Sequence, residues 1–437
     1  MIASQEGSHT SETNNARDSL SSPPSAPTLV RSLRLDAENG LITFFIINFT
    51  CNASNRGTNL FQVPNNFDDL LKNNSTKHSV QSVGAMALAR LRRSSYYFRE
   101  AQKLYGQALL TLAELLRQNT EIDKDAVLFA ILFLGFFEVL VSDLPSSRQS
   151  WMTHLGGLSL LLKRRKDQVF NTGLGARMLL QSRGQAITNA LQTKTPVAEE
   201  FRALSRGILR SMPTQVVHSD DADMLLMRLA HIQAQFQSSG SSTALISELV
   251  ALDDDCREWH KNLPPAWSFI TRPIDPPSEL WWEARCDIYP MAVLVAVHNR
   301  MRAARIIICN LIQEAFPNTR SHTENTLATA VRRLDSEHQD KLLRHLVVDI
   351  CATVPLCYRP SRTNIVHAAP EIQPPLGTCY WLLWPLEVVG SMREAPPELT
   401  KWARQCLEHI YEMTGIVKAW IGTQRLQEIT KNPVVAS

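Results

Sequence analysis

From Ser79 onward the chain repeats apolar and polar positions at helical spacing. Tyr97, Ala101, Leu104, Ala108, Leu112 and Leu115 recur at steps of three and four, which puts them on one face of a helix. Residues 126–141 form a different pattern, sixteen positions interrupted only by Gly135 and Glu138. A helix that is apolar on every side must be buried on every side. This run is shorter than the roughly 20 apolar residues a bilayer requires, and it contains a carboxylate, so a soluble core helix is expected. Asp125 stands where it can cap that helix. A polar turn over 143–147 leads to a second run, 151–162, closed by the cations Lys163, Arg164, Arg165 and Lys166, which suit a helix C-terminus. The pattern makes this pair of helices the centre of the molecule.

The same period continues to the end. A loop with Gly173 and Gly175 precedes a helix over 176–192, and Pro196 and Pro213 punctuate the next segment. Leu245, Leu249, Leu252, Cys256 and Trp259 make a stripe stopped by Pro264 and Pro265. Pro290 suits the first turn of a helix reaching about Phe316. Its apolar face is expected at Val293, Val297, Ala304 and Ile308, with Arg300, Arg302 and Arg305 among the polar positions. Leu343, Leu346, Ile350 and Val354 form another stripe. Pro385 is expected to kink or split the apolar run 380–389. Ala403, Cys406, Ile410, Val417 and Trp420 read as one last amphipathic helix.

No stretch alternates at period two, and no internal repeat is visible. The apolar run 41–51 has the β-branched and aromatic content of a strand. With no partner strand in view, it reads as a short helix or an irregular anchor. Residues 52–74 read as a polar loop. The first 40 residues, rich in Ser, Thr, Asn and Pro, lack the apolar content to offset ordering entropy and are expected to be a disordered tail. The fold class is therefore all-α, a large domain of roughly a dozen or more helices over 41–437.

Composition changes this picture little. The chain has 437 residues, 44% apolar and 20% charged, with a net charge of +3, too small to argue for nucleic acid or membrane. Its eight cysteines contain no CxxC pair, and seven of them fall from Cys256 onward. That spacing is neither a disulfide framework nor a zinc signature, and it fits a reducing compartment. No apolar signal core begins the chain.

The candidate chemistry is sparse. Lys163–Lys166 reads as a nuclear-import signal or as a solvated helix end, and the basic positions of 89–93 as the polar face of a helix. His154 shares a helix face with Trp151, and a locally bonded histidine is the simpler reading of it than a ligand or catalyst. Glu138 is expected to bond Trp151, His154 or a backbone amide of the next helix, fixing the turn, because an unpaired carboxylate in an apolar helix is costly. Gly157 reads as close helix packing. Neither Gly173/Gly175 nor Gly156–Ser159 completes a nucleotide or nucleophile motif. Asp254, Asp255 and Glu258 match the DDxxE arrangement by which all-α terpene cyclases hold magnesium on diphosphate. The expected second motif is missing downstream, and the apolar stripe of the same helix leaves these acids as its solvated face.

Asp125, Leu128, Leu132, Glu138, Ser150, Trp151, His154, Leu155, Gly157, Leu161, Leu162 and Arg164, in that order, resemble the fungal-specific transcription factor domain. This is the helical regulatory region that follows the binuclear zinc cluster in fungal regulators. Trp259, Leu263, Pro264 and Trp267 resemble its next segment. Asp287, Tyr289, Asn299, Arg300, Arg305 and Ile306 resemble a further helix of it. Val354, Pro355, 380–386, Gly415 and Ile416 resemble its closing segments.

The resemblance implies a transcriptional regulator in the nucleus, not an enzyme, with no cofactor or metal, possessing Glu138, Trp151, His154 and Gly157 as structural signature positions. It implies as partners other regulators or a second copy, with a small-molecule effector as a further candidate and no membrane. Control of a specialised-metabolite gene cluster is the expected context. The six-cysteine zinc cluster has no counterpart here, so DNA contact is expected only through partners unless such a cluster lies upstream. A terpene-cyclase-like enzyme or a helical scaffold are the alternatives.

Overall fold

Helix α5, Asp125–Val141, is enclosed on all sides, and Ala126 through Leu140 are buried without exception. The structure is a computed structural model and describes residues 39–51, 61–62, 67–118, 125–141, 145–165, 173–203, 214–274, 281–315, 336–358, 376–393 and 395–431. Residues 1–38, most of the expected tail, lie outside the described residues. Asp125 is the first residue of α5 rather than its cap, and as an acid in the first turn it complements the helix dipole. Among the described residues no helix is long and apolar enough to cross a membrane.

The shell around α5 begins with α1 (39–49), whose Leu41, Phe45 and Phe49 face inward. Phe45 meets Phe133 edge-on at 4.9 Å, and Phe49 meets Phe136 at 5.4 Å. The expected loop 52–74 is more structured than its polarity implied. Two-residue strands β1 (Thr50–Cys51) and β2 (Phe61–Gln62) pair in parallel, and α2 (Phe67–Leu71) sets Phe67 against Phe129 at 5.9 Å. Helix α3 (Asn74–Arg92) is capped by the Asn73 side chain, which accepts from the amides of Ser75 and Thr76. It runs beside α5, tied at both ends. Thr76 Oγ1 donates to the Ala126 carbonyl at 2.8 Å, and Arg90 Nη2 to the Val141 carbonyl at 3.2 Å. Gly84 permits α1 to cross α3, since a side chain there would collide with the Leu41 carbonyl. Helix α4 (Ser95–Gln118) turns back along α3, burying Ala101, Leu104, Ala108 and Leu112 as the stripe requires.

Helix α6 (Pro145–Arg165) starts inside the expected polar turn, because proline fits a first helical turn. Helix α7 (Gly173–Thr193) likewise absorbs both glycines expected in a loop. Then come α8 (Glu199–Ala203), α9 (Thr214–Ser239) and α10 (Thr243–Lys261), the last followed by a 3₁₀ turn over Pro265–Trp267. A hairpin that the pattern did not reveal follows. In it β3 (Ile270–Pro273) and β4 (Arg285–Ile288) pair antiparallel, with Ile270 opposite Ile288 and Pro273 opposite Arg285. All four residues of β3 are exposed and three of four in β4 are buried, so neither strand alternates.

Helix α11 (Ala292–Ala315) buries Val297, Ala304 and Ile308, but Val293 is 47% exposed and Arg302 is buried. Its arginines are not a solvated face. Arg305 pairs with the buried Asp253 of α10 at 2.7 Å, and Arg300 with the buried Asp223 of α9 at 2.9 Å. The chain closes with α12 (Ser336–Cys351), α13 (Val354–Tyr358), α14 (Leu376–Gly390), α15 (Pro397–Thr414) and α16 (Val417–Lys431). Helix α14 runs unsplit through Pro385. The expected single last helix is two, broken at Gly415, whose φ of 67° is left-handed and which abuts Arg90.

From Leu41 onward the chain forms one unit. Three partners of the α5 aromatics, Phe45, Phe49 and Tyr380, come from outside residues 66–193. A fragment limited to 66–193 is therefore expected to show no cooperative thermal transition, whereas residues 41–437 show one. Scanning calorimetry on both proteins checks this.

Candidate functional site

Glu138 faces α4 and α6 from within α5. Its partner is Tyr105, a residue that no spacing argument singled out. Tyr105 stacks on Phe137 at 4.4 Å, and its hydroxyl donates to Glu138 Oε1 at 2.5 Å. The Tyr105 hydroxyl oxygen also lies 3.0 Å from His154 Nε2. With the tyrosine proton committed to Glu138, His154 must donate from Nε2, which fixes its tautomer. Burial pushes Glu138 above the usual carboxylate range, opposed by the Tyr105 bond. Burial also holds His154 at about 4, so it is neutral near pH 7. Burial and then Glu138 raise the tyrosine. The chain of donors links α4, α5 and α6 but contains no activated nucleophile. The bond of Glu138 goes to Tyr105 of α4 and not, as expected, to Trp151, His154 or a backbone amide of the next helix; α6 is reached only through Tyr105 and His154.

Trp151 is buried and lies against Gly135, where a side chain would sit 3.6 Å from its ring. Lys418 of α16 covers it, with Nζ 5.0 Å from the ring centroid. Gly135 therefore does the work expected of Gly157. Among the described residues nothing lies within 4 Å of where a Gly157 side chain would begin, so the close-packing reading of Gly157 is corrected. Arg164 is exposed at the end of α6. Lys166 and the side chains of Lys163 and Arg165 lie outside the described residues.

The three acids of the DDxxE pattern are all exposed and all engaged. Asp254 pairs with Arg257, Asp255 with Arg228 at 2.6 Å, and Glu258 with Asn262 at 2.9 Å. Among the described residues no cluster of three or more histidines, cysteines or acids could hold a metal. The fourth acid of that run, Asp253, is buried on Arg305. The seven cysteines from Cys256 onward are free and buried, and burial raises thiols such as Cys256 and Cys286 to about 12.

A second polar interior surrounds His298 of α11. Its ring lies 5.0 Å from Tyr289, 5.6 Å from His260, 5.9 Å from Trp259 and Trp267, and 6.5 Å from Phe269. Arg302, one turn further along α11, stands over Phe269 at 5.6 Å. Its Nη1 donates to Asn299 at 2.9 Å, and Asn299 donates to Thr353 at 2.7 Å. Burial and then Arg302 push His298 down to about 3. Trp259, Trp267 and Tyr289 were legible as aromatic positions. His298 and Arg302 were not, because the helical period of α11 placed Arg302 outside.

Residues 66–193 match the family model described as the fungal specific transcription factor domain. The chain is 26% identical over 349 residues to transcription factor dbaG of Emericella nidulans, covering 74% of this chain and 75% of that protein. An uncharacterised protein of the same organism is 28% identical over 148 residues, 32% of this chain and 31% of its own length. No solved structure matches.

Two outcomes follow from the α4–α5–α6 junction. Because His154 titrates lower in the folded than in the unfolded chain, the stability it contributes is present above about pH 6.5 and is lost as pH falls toward 4. Glu138 has the opposite sign: its raised value favours folding at low pH and that advantage disappears as pH rises through it. In urea titrations, His154→Asn should flatten the decline in stability between pH 6.5 and 4. The substitution Gly157→Ala, in open space inside a helix, should raise stability by about 1 kcal/mol. A loss instead would show that something does pack on that position.

Proposed function

The chain carries a fungal specific transcription factor domain, and we propose on that premise that it regulates transcription from the nucleus through partner proteins or a second copy of itself. The observation that supports this reading is the family match over 66–193, which centres on α5 and its neighbours, together with the likeness to transcription factor dbaG over most of both chains. The sequence contains no CxxC pair, so no residue here is assigned to a zinc-cluster contact with DNA. Output through partners, set by a small-molecule effector, is the form of regulation we propose. Control of a specialised-metabolite gene cluster is part of the same proposal and would appear as a coordinated transcript change in neighbouring genes when the protein is removed.

The cationic end of α6 is proposed as the import signal. Replacing Lys163, Arg164, Arg165 and Lys166 together by alanine should abolish nuclear accumulation of a fluorescent fusion in a fungal host. An even distribution of the unsubstituted fusion would count against the nuclear reading itself.

A further inference from the structure

The basic run that ends α3 holds two kinds of arginine. Arg90 is engaged: its Nη2 donates to the Val141 carbonyl at 3.2 Å, and its guanidinium stands over Phe98 at 5.7 Å. Arg92 and Arg93 are exposed, and so is Arg99 in the second turn of α4. Among the described residues none of these three guanidinium groups has an ion pair or a hydrogen bond. Between them the chain turns a corner. Arg93 ends α3 in the left-handed region, with φ 48° and ψ 42°, and Ser94 is half-buried. Ser95 opens α4 and is exposed, and Tyr96 after it is 60% exposed. Ser95 therefore has arginine in the third and second positions before it and an aromatic residue after it. No other serine or threonine of the sequence has arginine at both of those positions.

We propose that Ser95 is phosphorylated by a serine/threonine kinase that selects basic residues ahead of its target. Carboxylates in the cleft of such a kinase pair with the two guanidinium groups, and charge patterns of this kind set kinase specificity. In the transfer the Ser95 hydroxyl attacks the γ-phosphorus of magnesium-bound ATP. The Oγ–P bond forms, the bond from that phosphorus to the bridging oxygen breaks, and ADP leaves. The hydroxyl proton passes to the catalytic carboxylate of the kinase. The cleft takes its substrate extended, so the corner must open locally. Its hold is weak. Ser94 Oγ accepts from the Tyr97 amide at 3.5 Å, the long limit of such a bond. Left-handed backbone at Arg93 is unfavourable for a residue with a Cβ, and helix ends open most cheaply. Once the corner recloses, the phosphate has receivers. It carries about −1.5 to −2 charges near pH 7. Arg99 lies four residues past Ser95 on the same face of α4, and Arg92 and Arg93 precede it, all with donors to give. The modification thus turns an exposed cationic corner into one of nearly balanced charge. This deepens the regulatory reading and rests on it for its purpose, but its test reads phosphate incorporation and not transcription, so the two can fail separately.

The test incubates the folded full chain with the catalytic subunit of cyclic-AMP-dependent protein kinase and magnesium-ATP, and locates the phosphate by mass spectrometry. Ser95 should be the first residue modified. Arg92→Ala and Arg93→Ala, both at exposed positions, should each slow its modification at least tenfold. The phosphorylated chain should unfold at a higher temperature than the unmodified one. Arg99→Ala should remove at least half of that gain while leaving the rate of modification within twofold. Failure to modify Ser95 in the folded chain would overturn the proposal, and modification of the heat-denatured chain alone would locate the cause in a closed corner. Modification of Ser95 that both Arg92→Ala and Arg93→Ala leave unchanged would overturn it as well. A midpoint lowered by the phosphate would overturn its reception by these arginines.

Discussion

Everything in this fold answers the need to bury α5 from all directions. One helix with no polar face requires neighbours around its whole circumference, and no single partner helix can supply them. The chain meets that need with segments far apart in sequence. Helix α3 lies along α5 with a bond at each end, α1 caps the Phe133 and Phe136 face, α6 rests on Gly135, and Tyr380 arrives from α14. This is why the segment matched by the family model is not a separate body. Its central helix is completed by residues before and after it.

Polar bonds within the core then select one arrangement of these helices. Tyr105, Glu138 and His154 join three helices at a single oxygen. Arg183, completely buried on α7, pairs with Asp220 and Asp223 of α9, and Asp223 also receives Arg300 of α11. Glu387 of α14 accepts from Gln192 of α7 at 2.8 Å and lies 3.4 Å from Arg425 of α16. Buried ion pairs of this kind contribute little net stability compared with apolar replacements, and breaking one partner away is costly. Their consequence here is geometric. Each network spans helices that apolar packing alone would allow to slide.

The regulatory reading and the arrangement of the interior bear on each other. A domain that works through partners needs a surface, and a domain that responds to an effector needs an interior able to receive one. The surface acids Asp254 and Asp255 of α10 are neutralised by arginines, while His298 lies buried among aromatic rings beside a hairpin with one exposed strand.

Apolar periodicity by itself determined the all-α class, the buried α5, and the inward stripes of α4, α10 and α12, because those features are local and repeat every three or four residues. It also ordered Glu138, Trp151 and His154 on adjoining helices. Tertiary structure alone decided which atoms they meet. Tyr105 is separated from Glu138 by 33 residues, and no local pattern links them. The β3–β4 hairpin escaped because one strand is exposed throughout and the other nearly all buried, so neither alternates. The arginines of α11 were misread for a related reason. Period reports polarity, whereas their burial depends on Asp223 and Asp253 waiting on other helices. Gly157 and Gly135 look alike in sequence, and only the packing of α6 on α5 shows which one lies under a tryptophan.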